Sequence, residues 1–470
     1  MRCLALALAA QGCGMRAKLI AQLGVPWVRE RLTLEDVALT EVPGDASARE
    51  QPEALLAQLA NEGEPHTTRD WVVLDGYHFG FDCQQAVRAA GYKLLVIDDY
   101  AHLPEYACDI LLNQNIGAVE LAYRGDIGQK LLGPKYALLR PEFIAARKKA
   151  EKRQLPEKIQ NILLTLGGGD FSSHLARIAS DFSAPELAGC TLRVIAGAMP
   201  PERIRELLQD CPANLEILVR VDDMPALLLD TDLCVTAGVS TCWELCCLGV
   251  PFLTVEVAAN QRAIIRHLVD KGFAGIFTGN SFASALEEPL VQKDANKLRT
   301  FVDGKGCQKV LDELTNFPDL LLRKALPEDC MAVFALANDA QVRENALSTS
   351  RITEEEHVRW YAERVKLEGF YVAFFDNKLV GYVRYDKTDV REERIVTLAI
   401  AEEWRGKRLG ARLLRESVQH VSTCEIDSVI AWVKPENIVS HKVFQQAGYS
   451  FLGKKQHQTR TMCCFQLRIK

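Results

Sequence analysis

The chain has 470 residues, of which 48% are hydrophobic and 25% are charged, and its formal net charge is −6 at pH 7. This composition is ordinary for a soluble globular protein. Since a domain has roughly 150 residues on average, the length predicts three domains. The acidic balance argues against a nucleic acid or a membrane surface as a partner. The sequence also lacks the run of about 18 apolar residues that a membrane-spanning helix needs.

The fifteen cysteines are scattered along the chain, without a Cys-x-x-Cys pair or a Cys/His spacing typical of zinc ligands. This pattern favours free buried thiols in a reducing compartment, with no disulfide framework and no metal site. The opening MRCLALALAAQGCG resembles a short secretory signal, but its apolar run Cys3–Ala10 is at the lower length limit and also reads as a helix ending at Gly12. Because so many cysteines fit export poorly, we predict a cytoplasmic protein.

Residues 1–145 alternate between helical and strand patterns. The predicted helices are Arg2–Gln11, Pro26–Asp36, Pro52–Asn61 and Cys83–Ala90, and the predicted strands lie at Arg16–Gln22, Val37–Val42, Trp71–Tyr77, Tyr92–Asp98 and Ile110–Leu112. This alternation is typical of a doubly wound parallel sheet. Such a domain normally begins with a strand, whereas this chain begins inside a helix. We therefore expect a sheet that lacks a central strand and exposes two edges.

A crossover at Leu131–Phe143 and the charged Arg147–Lys158 leads to a second lobe, residues 155–318, with the same rhythm. Its predicted strands are Ile159–Leu166, Thr191–Ala196, Asn214–Leu218, Asp232–Thr236 and Phe252–Glu256, and a closing helix is predicted at Gln308–Phe317. Ligands of open α/β sheets bind outside the carboxyl ends of the strands. We therefore expect Gly167–Asp170, Gly238–Glu244 and Glu256–Gln261 to gather at one rim, facing the first lobe across a cleft.

The segment Ala237–Gln261 contains a strand–turn–helix unit. Gly238 permits a tight turn, and Ser240 and Thr241 stand at the helix N-cap, with Glu244 placed to complete a capping box. The helix is predicted to stop at Gly249. A helix N-terminus after a parallel strand points free N–H groups and a positive dipole at one spot, which suits a phosphate. On the residues alone, a structural turn and a nucleotide site are equally open.

The residues from 319 to 470 follow a different pattern. Helices are predicted around Asp329–Asn345 and Thr353–Lys366, followed by a hairpin of Phe370–Phe375 and Leu379–Tyr385 joined by Asp376-Asn377-Lys378. The later predicted elements are the strands Arg394–Ile400 and Asp427–Val433 and the helices Leu409–Val421 and Ile438–Ala447. This pattern predicts a mixed α+β domain.

Several separated motifs of residues 1–318 resemble one family. They are the opening Met1-Arg2-Cys3, Leu74-Asp75-Gly76-Tyr77, Ile97-Asp98-Asp99, Cys108–Asn115 and Gly133–Phe143. Together they resemble the UDP-sugar hydrolases of pseudaminic acid biosynthesis, which cleave UDP from UDP-2,4-diacetamido-2,4,6-trideoxy-β-L-altropyranose. The resemblance implies a GT-B-like pair of doubly wound Rossmann-type lobes, with UDP held by the second lobe.

The resemblance also implies roles for single residues. Gly238, Ser240 and Thr241 would bind the pyrophosphate, and Glu244 would accept the ribose hydroxyls. The further residues that it assigns to the UDP-sugar are Gly168, Gly169 and Gln261. It implies that Tyr77 and Asn260 contact the sugar and the reaction centre, and Asp75, at the same strand end as Tyr77, is the third predicted catalytic residue. The residues alone favour capping for Asp75, cleft packing for Tyr77 and N-capping of Gln261–Asp270 for Asn260, and they leave Gly167–Asp170 open between nucleotide binding and a simple turn.

The sequence departs from this family at its start. The family carries a Gly-x-Gly-His-x-Met-Arg-Cys loop after its first strand, and its His is the expected base. Here Met1-Arg2-Cys3 matches only the end of that loop. We expect translation to begin upstream, and the chain as given to be a poor hydrolase without a positioned base. His78 and His102 lie near strand ends, where a solvated or structural role is favoured.

The last domain resembles the GNAT N-acetyltransferases. The resemblance rests on Thr397–Ala411, Asn437–Ser440 and Ala447-Gly448-Tyr449. It implies that Leu398 and Ile400 offer backbone groups to the pantetheine of acetyl-CoA. The residues that it assigns to the pyrophosphate loop and the helix after it are Arg405, Gly406, Lys407, Arg408, Gly410 and Ala411, and a second helix contributes Asn437 and Ser440.

The GNAT pattern is imperfect at two positions. Arg408 replaces the middle glycine of the family's loop, and Phe444 stands where many relatives carry a general-acid tyrosine. A phenylalanine cannot donate a proton, and Tyr449 is favoured as a core residue, so the sequence assigns no acid.

The two resemblances predict successive steps. The last domain would acetylate the 4-amino group of a UDP-amino-sugar with acetyl-CoA, and the front lobes would release UDP from the product, in the synthesis of a flagellin or surface glycan sugar. A UDP-activated diamino-trideoxy sugar and acetyl-CoA are then the expected partners, without a metal. Three alternatives stay open: a GT-B glycosyltransferase, a UDP-sugar-binding lobe without hydrolysis beside an active acetyltransferase, and a hydrolase for a bacillosamine- or legionaminic-type sugar.

Overall fold

The computed structural model describes residues 1–23, 26–42, 51–61, 70–154, 156, 158–238, 240–277, 295–317, 320–375, 378–406, 409–421, 426–457 and 460–469. The chain forms two compact units. The first contains Met1–Gly63 and Trp71–Asn316, and the second contains Phe317–Lys470. Both predicted lobes of the front part therefore fall within the first unit.

The front half of the first unit contains two parallel sheets. The smaller sheet pairs β1 (Lys18–Ala21) with β2 (Ala38–Glu41). The larger sheet has four strands in sequence order, namely β3 (Trp71–Asp75), β4 (Lys93–Ile97), β5 (Tyr106–Asn113) and β6 (Gly125–Leu132). The helices are α1 (Arg2–Gly12), α2 (Pro26–Leu34), α3 (Pro52–Ala60) and α4 (Phe81–Ala89). Every residue of β4 and β5 is buried, as expected for parallel strands covered on both faces.

The two front sheets are separate, since no described strand belongs to both of them. Helix α1, predicted over Arg2–Gln11, packs Leu4 and Ala7 against Leu32 and Val37 beside the smaller sheet. This apolar cluster fixes the start of the chain to the front half of the unit.

Strand β6 was not predicted, because its sequence GDIGQKLL carries two glycines and little β-branched character. The structure explains both glycines by close approach of the neighbouring strand β5. A Cβ at Gly125 would lie 2.2 Å from the carbonyl oxygen of Tyr106, and one at Gly128 would lie 2.4 Å from that of Asp109. Strand β5 also runs for eight residues instead of the predicted Ile110–Leu112.

The rear half of the first unit is built on one parallel sheet of six strands. The strands are β7 (Asn161–Thr165), β8 (Thr191–Ile195), β9 (Asn214–Leu218), β10 (Leu233–Ala237), β11 (Phe252–Val255) and β12 (Gly275–Ile276), in the order β12-β11-β10-β7-β8-β9. The helices are α5 (Pro141–Ala150), α6 (Ser172–Ile178), α7 (Pro201–Leu207), α8 (Met224–Leu229), α9 (Thr241–Leu248), α10 (Arg262–Asp270), α11 (Ala295–Phe301) and α12 (Gly306–Thr315). The predicted helix stop at Gly249 is confirmed, because Gly249 takes the left-handed conformation with φ 68°.

The second unit is a mixed sheet covered by helices. Its seven strands are β13 (Leu321–Lys324), β14 (Phe370–Phe375), β15 (Lys378–Lys387), β16 (Glu393–Ile400), β17 (Ser428–Val433), β18 (Ser450–His457) and β19 (Arg460–Arg468), in the order β13-β14-β15-β16-β17-β19-β18. Only β16 and β17 pair in parallel among these described strands. The helices are α13 (Cys330–Ala337), α14 (Ala340–Asn345), α15 (Glu354–Arg364), α16 (Leu409–Val421) and α17 (Ile438–Gln446).

The predicted hairpin of this unit is confirmed in β14 and β15, although Asp376 and Asn377 of its turn lie outside the described residues. The strands β13, β18 and β19 were not predicted. Strand β18 reads SFLGKKQH and lies at the edge of the sheet, where most of its side chains are exposed. A polar edge strand shows no apolar alternation, and pairing alone defines it.

We predict that Gly306→Ala destabilises the first unit by about 1–3 kcal/mol, the usual cost of overpacking. Gly306 is the first residue of α12 and packs against the backbone of Tyr136 and Ala137. An added Cβ would lie 2.1 Å from the Ala137 carbonyl oxygen. Chemical denaturation followed by circular dichroism measures the loss. Gly12→Ala is the matched control, because a Cβ at Gly12 meets nothing within 4 Å. Equal stability of the two variants would contradict the prediction.

Candidate functional site

The carboxyl ends of β3, β4 and β5 bring a polar cluster together in the first unit. We call it the Arg2 cluster, and its members are Arg2, Cys3, Asp75, Tyr77, Asp99 and Asn115. Two of them, Asp75 and Tyr77, are residues that the resemblance predicts to be catalytic. The other four were not assigned, although each lies in one of the motifs quoted above.

Arg2 holds the two carboxylates of the cluster. Its NH2 group donates to Asp75 Oδ1 at 2.6 Å and its NH1 group donates to Asp99 Oδ1 at 2.7 Å. The Cys3 thiol donates to Asp75 Oδ2 at 3.1 Å. Asp75 therefore lies at the end of β3 as an ion-pair partner, and the capping role that the residues alone favoured is not what its side chain does.

Tyr77 joins the cluster through Asp99. Its hydroxyl donates to Asp99 Oδ2 at 2.8 Å, and Asn115 Nδ2 donates to Oδ1 of the same carboxylate at 2.8 Å. The Tyr77 side chain is 47% exposed, and its ring stands edge-on to Tyr100. A half-exposed tyrosine whose hydroxyl proton is committed to a carboxylate can still accept a hydrogen bond from a ligand.

Burial and charge compete at this cluster. Burial alone would raise the pKa of Asp99, but the hydrogen bonds and the charge of Arg2, with those from Tyr77 and Asn115, hold that pKa below its ordinary value. Burial, with the Asp99 charge, raises the pKa of Tyr77. Burial, with the Asp75 charge, likewise raises the pKa of the Cys3 thiol. Asp99 is therefore ionised at neutral pH, and the phenol and the thiol are neutral donors.

Asp98, next to Asp99, serves the core. Its buried carboxylate accepts from Tyr106 at 2.9 Å, from Tyr123 at 2.7 Å and from the Ala101 N–H at 2.6 Å, and it contacts His102 Nδ1 at 2.5 Å. His102 is thereby held in place, in line with the structural role favoured from the sequence. His78 is exposed and its ring lies tilted against that of Phe79, with ring centroids 4.0 Å apart.

The loops of the rear sheet gather at one edge, as the sequence predicted. Strands β7, β10 and β11 are parallel neighbours, so Gly167–Asp170, Gly238–Glu244 and Glu256–Gln261 all follow carboxyl ends at that edge. The loops also touch, since Arg177 of α6 donates to the Glu256 carbonyl oxygen at 2.7 Å. Val239 lies outside the described residues.

In the loop Gly167–Asp170, neither backbone conformation nor packing requires glycine at positions 168 and 169. Gly167 has φ +113°, which strains other residues, but Gly168 and Gly169 have no positive φ, and a Cβ at either would meet nothing within 4 Å. Asp170 receives hydrogen bonds from the Ser172 N–H and hydroxyl, which fixes the start of α6. The open face at Gly168 and Gly169 is therefore accessible to a ligand at the strand end.

The predicted capping box at α9 is wrong. Ser240 adopts a helical conformation at the N-cap and its side chain makes no capping hydrogen bond, and Thr241 is the first helical residue. Gly238 has no positive φ either; it is small because a Cβ there would lie 2.7 Å from Ile265 Cγ1 of α10. The turn thus depends on close packing of α10.

Glu244 points toward Arg140 instead of the helix N-cap. Its Oε1 lies 3.7 Å from Arg140 NH2, and its side chain is 18% exposed. Burial raises the Glu244 pKa to about 7, while the charges of Arg140 and the Met1 amino group oppose that rise. The partner of this carboxylate is therefore an arginine at the N-cap of α5, and not the N-cap of its own helix.

Asn260 and Gln261 follow β11. Asn260 is exposed, and α10 has no side-chain cap, so the predicted N-capping role of Asn260 is not observed. Gln261 is buried and its Oε1 accepts from the Val257 N–H at 3.2 Å, which shapes the loop. Of these two residues, Asn260 is the one whose side chain is exposed and accessible to a ligand.

The central feature of the second unit is a divergence of two strands. Strand β16 pairs with β15 as far as Ile400, but with β17 only over Glu393–Ile395. Beyond that point β17 pairs only with β19 within the described sheet. Leu398 and Ile400, predicted to meet pantetheine, lie on the part of β16 whose β17 side is open. Unpaired backbone groups there can bind an extended amide chain.

The loop after β16 is partly described. Arg405 donates from Nε to the Ile400 carbonyl oxygen at 3.0 Å and from its other nitrogens to Gln341 and Asp339. Its guanidinium therefore anchors the loop to α14, and Gly406 follows with φ +75°. Lys407 and Arg408 lie outside the described residues.

Helix α16 begins close to β16. A Cβ at Gly410 would lie 3.1 Å from Val443 Cγ1 and 3.3 Å from Leu398 Cδ2, and Ala411 is buried. The predicted acetyl-CoA residues Leu398 and Gly410 are thus neighbours in space, and small residues let the helix N-terminus approach the open strand edge.

Asn437 caps α17, because its Oδ1 accepts from the Ser440 N–H at 3.0 Å. Phe444 of that helix is buried against Tyr449, with ring centroids 5.2 Å apart. Tyr449 is a core residue, as predicted, and burial raises the pKa of its hydroxyl well above the ordinary value. Neither residue is placed as a proton donor to a ligand.

Residues 334–449 match the acetyltransferase (GNAT) family. The second unit contains a GNAT acetyltransferase domain. The open edge of β16 and the small residues of α16 therefore belong to this domain. Over the described ranges, no group of three or more His, Cys, Asp or Glu is arranged to hold a metal ion. No helix in the described part of the chain is long and apolar enough to cross a membrane.

Two relatives match the chain, and the longer alignment extends well beyond the GNAT domain. The chain is 23% identical over 405 residues to uncharacterized protein MJ1062 of Methanocaldococcus jannaschii, an alignment that covers 81% of each protein. It is 29% identical over 145 residues to the spore coat polysaccharide biosynthesis protein SpsG of Bacillus subtilis, covering 30% of this chain and 42% of SpsG.

Solved structures match the GNAT part. An acetyltransferase of the GNAT family from Streptococcus pneumoniae is 19% identical, with a TM-score of 0.29, and the match covers 32% of this chain and 99% of that protein. The aminoglycoside acetyltransferase AAC(6')-Ib, solved with coenzyme A and kanamycin, is 17% identical with a TM-score of 0.29, and the match covers 32% of this chain and 94% of the enzyme.

We predict that Glu244→Gln reduces the pH dependence of stability. The folded state binds the Glu244 proton more tightly than the unfolded state, because burial raises the pKa from 4.5 to about 7. The free energy of unfolding therefore falls as pH rises from about 4.5 to about 7. The glutamine variant lacks this term, so its stability difference between pH 5 and pH 8 should shrink by about 1–3 kcal/mol.

Urea denaturation of the wild type and the variant at both pH values measures this difference. Glu186→Gln, which changes an exposed glutamate of the same unit, is the control and should leave the pH dependence as it is. An unchanged pH dependence in Glu244→Gln would contradict the assignment.

We further predict that Gly168→Ala combined with Gly169→Ala leaves stability within about 0.5 kcal/mol of the wild type. The family resemblance assigns this loop to the nucleotide, and on that hypothesis the variant should bind UDP about tenfold more weakly, since each methyl would enter the open face. Calorimetric titration with UDP tests it, with Gly12→Ala as a second open-site glycine control. Unaltered UDP affinity would mean that this loop is a turn only.

Proposed function

We propose that the chain carries two successive steps of amino-sugar synthesis. The GNAT domain acetylates the 4-amino group of UDP-4-amino-4,6-dideoxy-N-acetyl-β-L-altrosamine with acetyl-CoA. The first unit, with a GT-B-like pair of lobes, then hydrolyses UDP-2,4-diacetamido-2,4,6-trideoxy-β-L-altropyranose to the free sugar and UDP. The observation that carries the proposal is that one chain combines a GNAT domain with a second kind of unit. That unit has glycine loops and a carboxylate cluster at the ends of its parallel strands.

The open edge of β16 supports the acetylation step. Bound acetyl-CoA supplies the acetyl thioester. Backbone groups of Leu398 and Ile400 offer hydrogen bonds to its pantetheine arm, and the N-terminus of α16 after Gly406 faces its pyrophosphate. The Asn437 side chain caps α17 and holds that helix in register beside the strand. A strand N–H polarises the thioester carbonyl while an uncharged amine attacks.

The two strand-end edges support the hydrolysis step. Gly168, Gly169 and the Gly238–Thr241 turn would bind the pyrophosphate, and Glu244 would accept the ribose hydroxyls. Asp75, Tyr77 and Asn260 would meet the sugar, with Asp75 oxygens as acceptors for the attacking water. SpsG is named for spore coat polysaccharide biosynthesis, and that name favours a sugar substrate for the relatives of this chain.

A second function is favoured by one observation. The histidine that the structure brings beside Tyr77 is His102, and its Nδ1 is committed to Asp98. Its Nε2 is buried and has no hydrogen-bond partner in the described part of the chain, so neither ring nitrogen is open to an attacking water. A first unit that binds the UDP-sugar without turnover, next to an active acetyltransferase, agrees with this arrangement. A glycosyltransferase would differ from both in needing an acceptor.

The test is ³¹P and ¹H NMR of the chain with the diacetamido UDP-sugar, without an acceptor. We expect slow formation of UDP and free sugar, and separately release of free CoA thiol when acetyl-CoA and the UDP-4-amino-sugar are added. Binding without UDP release would establish the binding unit, and UDP release only on addition of an acceptor sugar would establish a transferase. No CoA release would refute the acetylation step.

Tyr77→Phe should lower the rate of UDP release about 100-fold, because it removes the hydroxyl that links the sugar to Asp99. Tyr100→Phe is the matched control, since Tyr100 is a neighbouring exposed tyrosine. The measurement is the initial rate of UDP release by both variants and the wild type at saturating substrate. Equal rates for Tyr77→Phe and the wild type would remove Tyr77 from the reaction.

A further inference from the structure

Arg2 is the member of the Arg2 cluster on which the others depend. Its Nε contacts both oxygens of Asp75, at 3.1 and 3.0 Å, and its NH2 group contacts Asp75 at 2.6 Å and Asp99 at 3.1 Å. With NH1 on Asp99, all three nitrogens of the guanidinium are used. Such a fork fixes both carboxylates in one plane, which a lysine ammonium cannot do.

Two of the three proposed catalytic residues, Asp75 and Tyr77, are linked to Arg2 by hydrogen bonds. Asp75 is a direct partner, and Tyr77 is reached through Asp99, which accepts the Tyr77 hydroxyl at 2.8 Å. Asn115 also donates to Asp99 and shares its orientation. The direction of the Tyr77 hydroxyl is thus fixed by a carboxylate that Arg2 holds.

Charge makes the arrangement depend on Arg2. The side chains of Arg2, Asp75 and Asp99 are 19%, 22% and 17% exposed, so the two carboxylates are partly removed from water. Two partly buried carboxylates at one edge repel each other unless a cation lies between them. The guanidinium is that cation, and its removal would separate Asp75 from Asp99.

The same sheet contains a similar bridge that serves no predicted site. Arg88 contacts Asp126 at 2.7 Å and Asp109 at 3.6 Å, with a side-chain exposure of 22%, and Asp109 accepts the Leu94 N–H. This bridge ties α4 to β5 and β6. It provides a control for the structural consequences of breaking an arginine–carboxylate pair in this half of the unit.

We infer that Arg2 is a positioning residue for the sugar side of the reaction, which orients Asp75 directly and Tyr77 through Asp99 toward an acetamido sugar. This inference rests on the proposed hydrolysis of a UDP-diacetamido-sugar. Arg2 itself does not touch the substrate. Its contribution lies in the turnover step, since displaced acceptors bind a ligand but align the reacting groups poorly.

The experiment compares Arg2→Lys, Arg88→Lys, Tyr77→Phe and the double variant Arg2→Lys with Tyr77→Phe, in the full chain with the diacetamido UDP-sugar. We expect Arg2→Lys to lower kcat about 100-fold, the loss typical of misplaced catalytic groups, and to change KM less than about threefold. Arg88→Lys should keep the wild-type kcat. The double variant should lose less kcat than the product of the two single losses, because both changes act through Tyr77, while the effect of Arg2→Lys on Asp75 remains.

Acetyl transfer to the UDP-amino-sugar and a thermal unfolding curve accompany every variant, as measures of the intact chain. If Arg2→Lys unfolds the first unit, Asp99→Asn replaces it, since it keeps the size and weakens the charge. Unchanged kcat in a folded Arg2→Lys or Asp99→Asn, equal losses in Arg2→Lys and Arg88→Lys, or fully additive losses in the double variant would overturn the inference. No UDP release by the wild type would instead refute the proposed hydrolysis.

Discussion

Parallel strand pairing determines where the polar groups of the first unit can meet. In the front sheet Asp75 is level with Ile97, and Ile97 is level with Leu112. Tyr77, Asp99 and Asn115 each follow the end of one of these strands by two residues, and they therefore lie at the same edge of the sheet. The same rule gathers the glycine loops of the rear sheet. Both edges are consequences of register, which burial of both faces makes strict.

At the front edge, adjacent aspartates have opposite tasks. Asp98 turns inward, where two tyrosine hydroxyls, a backbone N–H and a histidine offset the cost of burying its carboxylate. Asp99 turns toward Arg2 and Tyr77. The buried network gives the strand end a rigid base, so the position of Asp99 is set from below by Asp98 and from the side by Arg2. Rigid support of this kind is what a site needs to hold a side chain within a fraction of an ångström.

Local sequence pattern predicts the elements better than the contacts of the site. The apolar runs of β4 and β10, the stop at Gly249 and the hairpin of β14 and β15 all follow from neighbours in sequence. The Arg2–Asp99 contact joins residues 97 positions apart, and no periodicity encodes it. The capping box at Glu244 failed for a related reason, because Arg140, distant in sequence, takes the place of the helix N-cap as the partner of that carboxylate. Strand β18 was missed because an edge strand is defined by its partner β19.

The proposed acetyl-CoA site of the GNAT domain depends on the loss of strand pairing between β16 and β17, whereas the edges of the first unit depend on strand pairing. In the proposed acetyl-CoA site the open edge offers backbone groups, and small residues of α16 let the helix approach, so the proposed site uses main chain more than side chains. Phe444 and Tyr449 cannot serve as acids, since one lacks a proton and the other is sealed in the core. A thiol has an ordinary pKa of about 8.5, and its thiolate leaves without protonation far more readily than an alkoxide. The absence of an acid at Phe444 is therefore compatible with transfer from a thioester to an amine. The step that needs a proton acceptor is the deprotonation of the incoming amine.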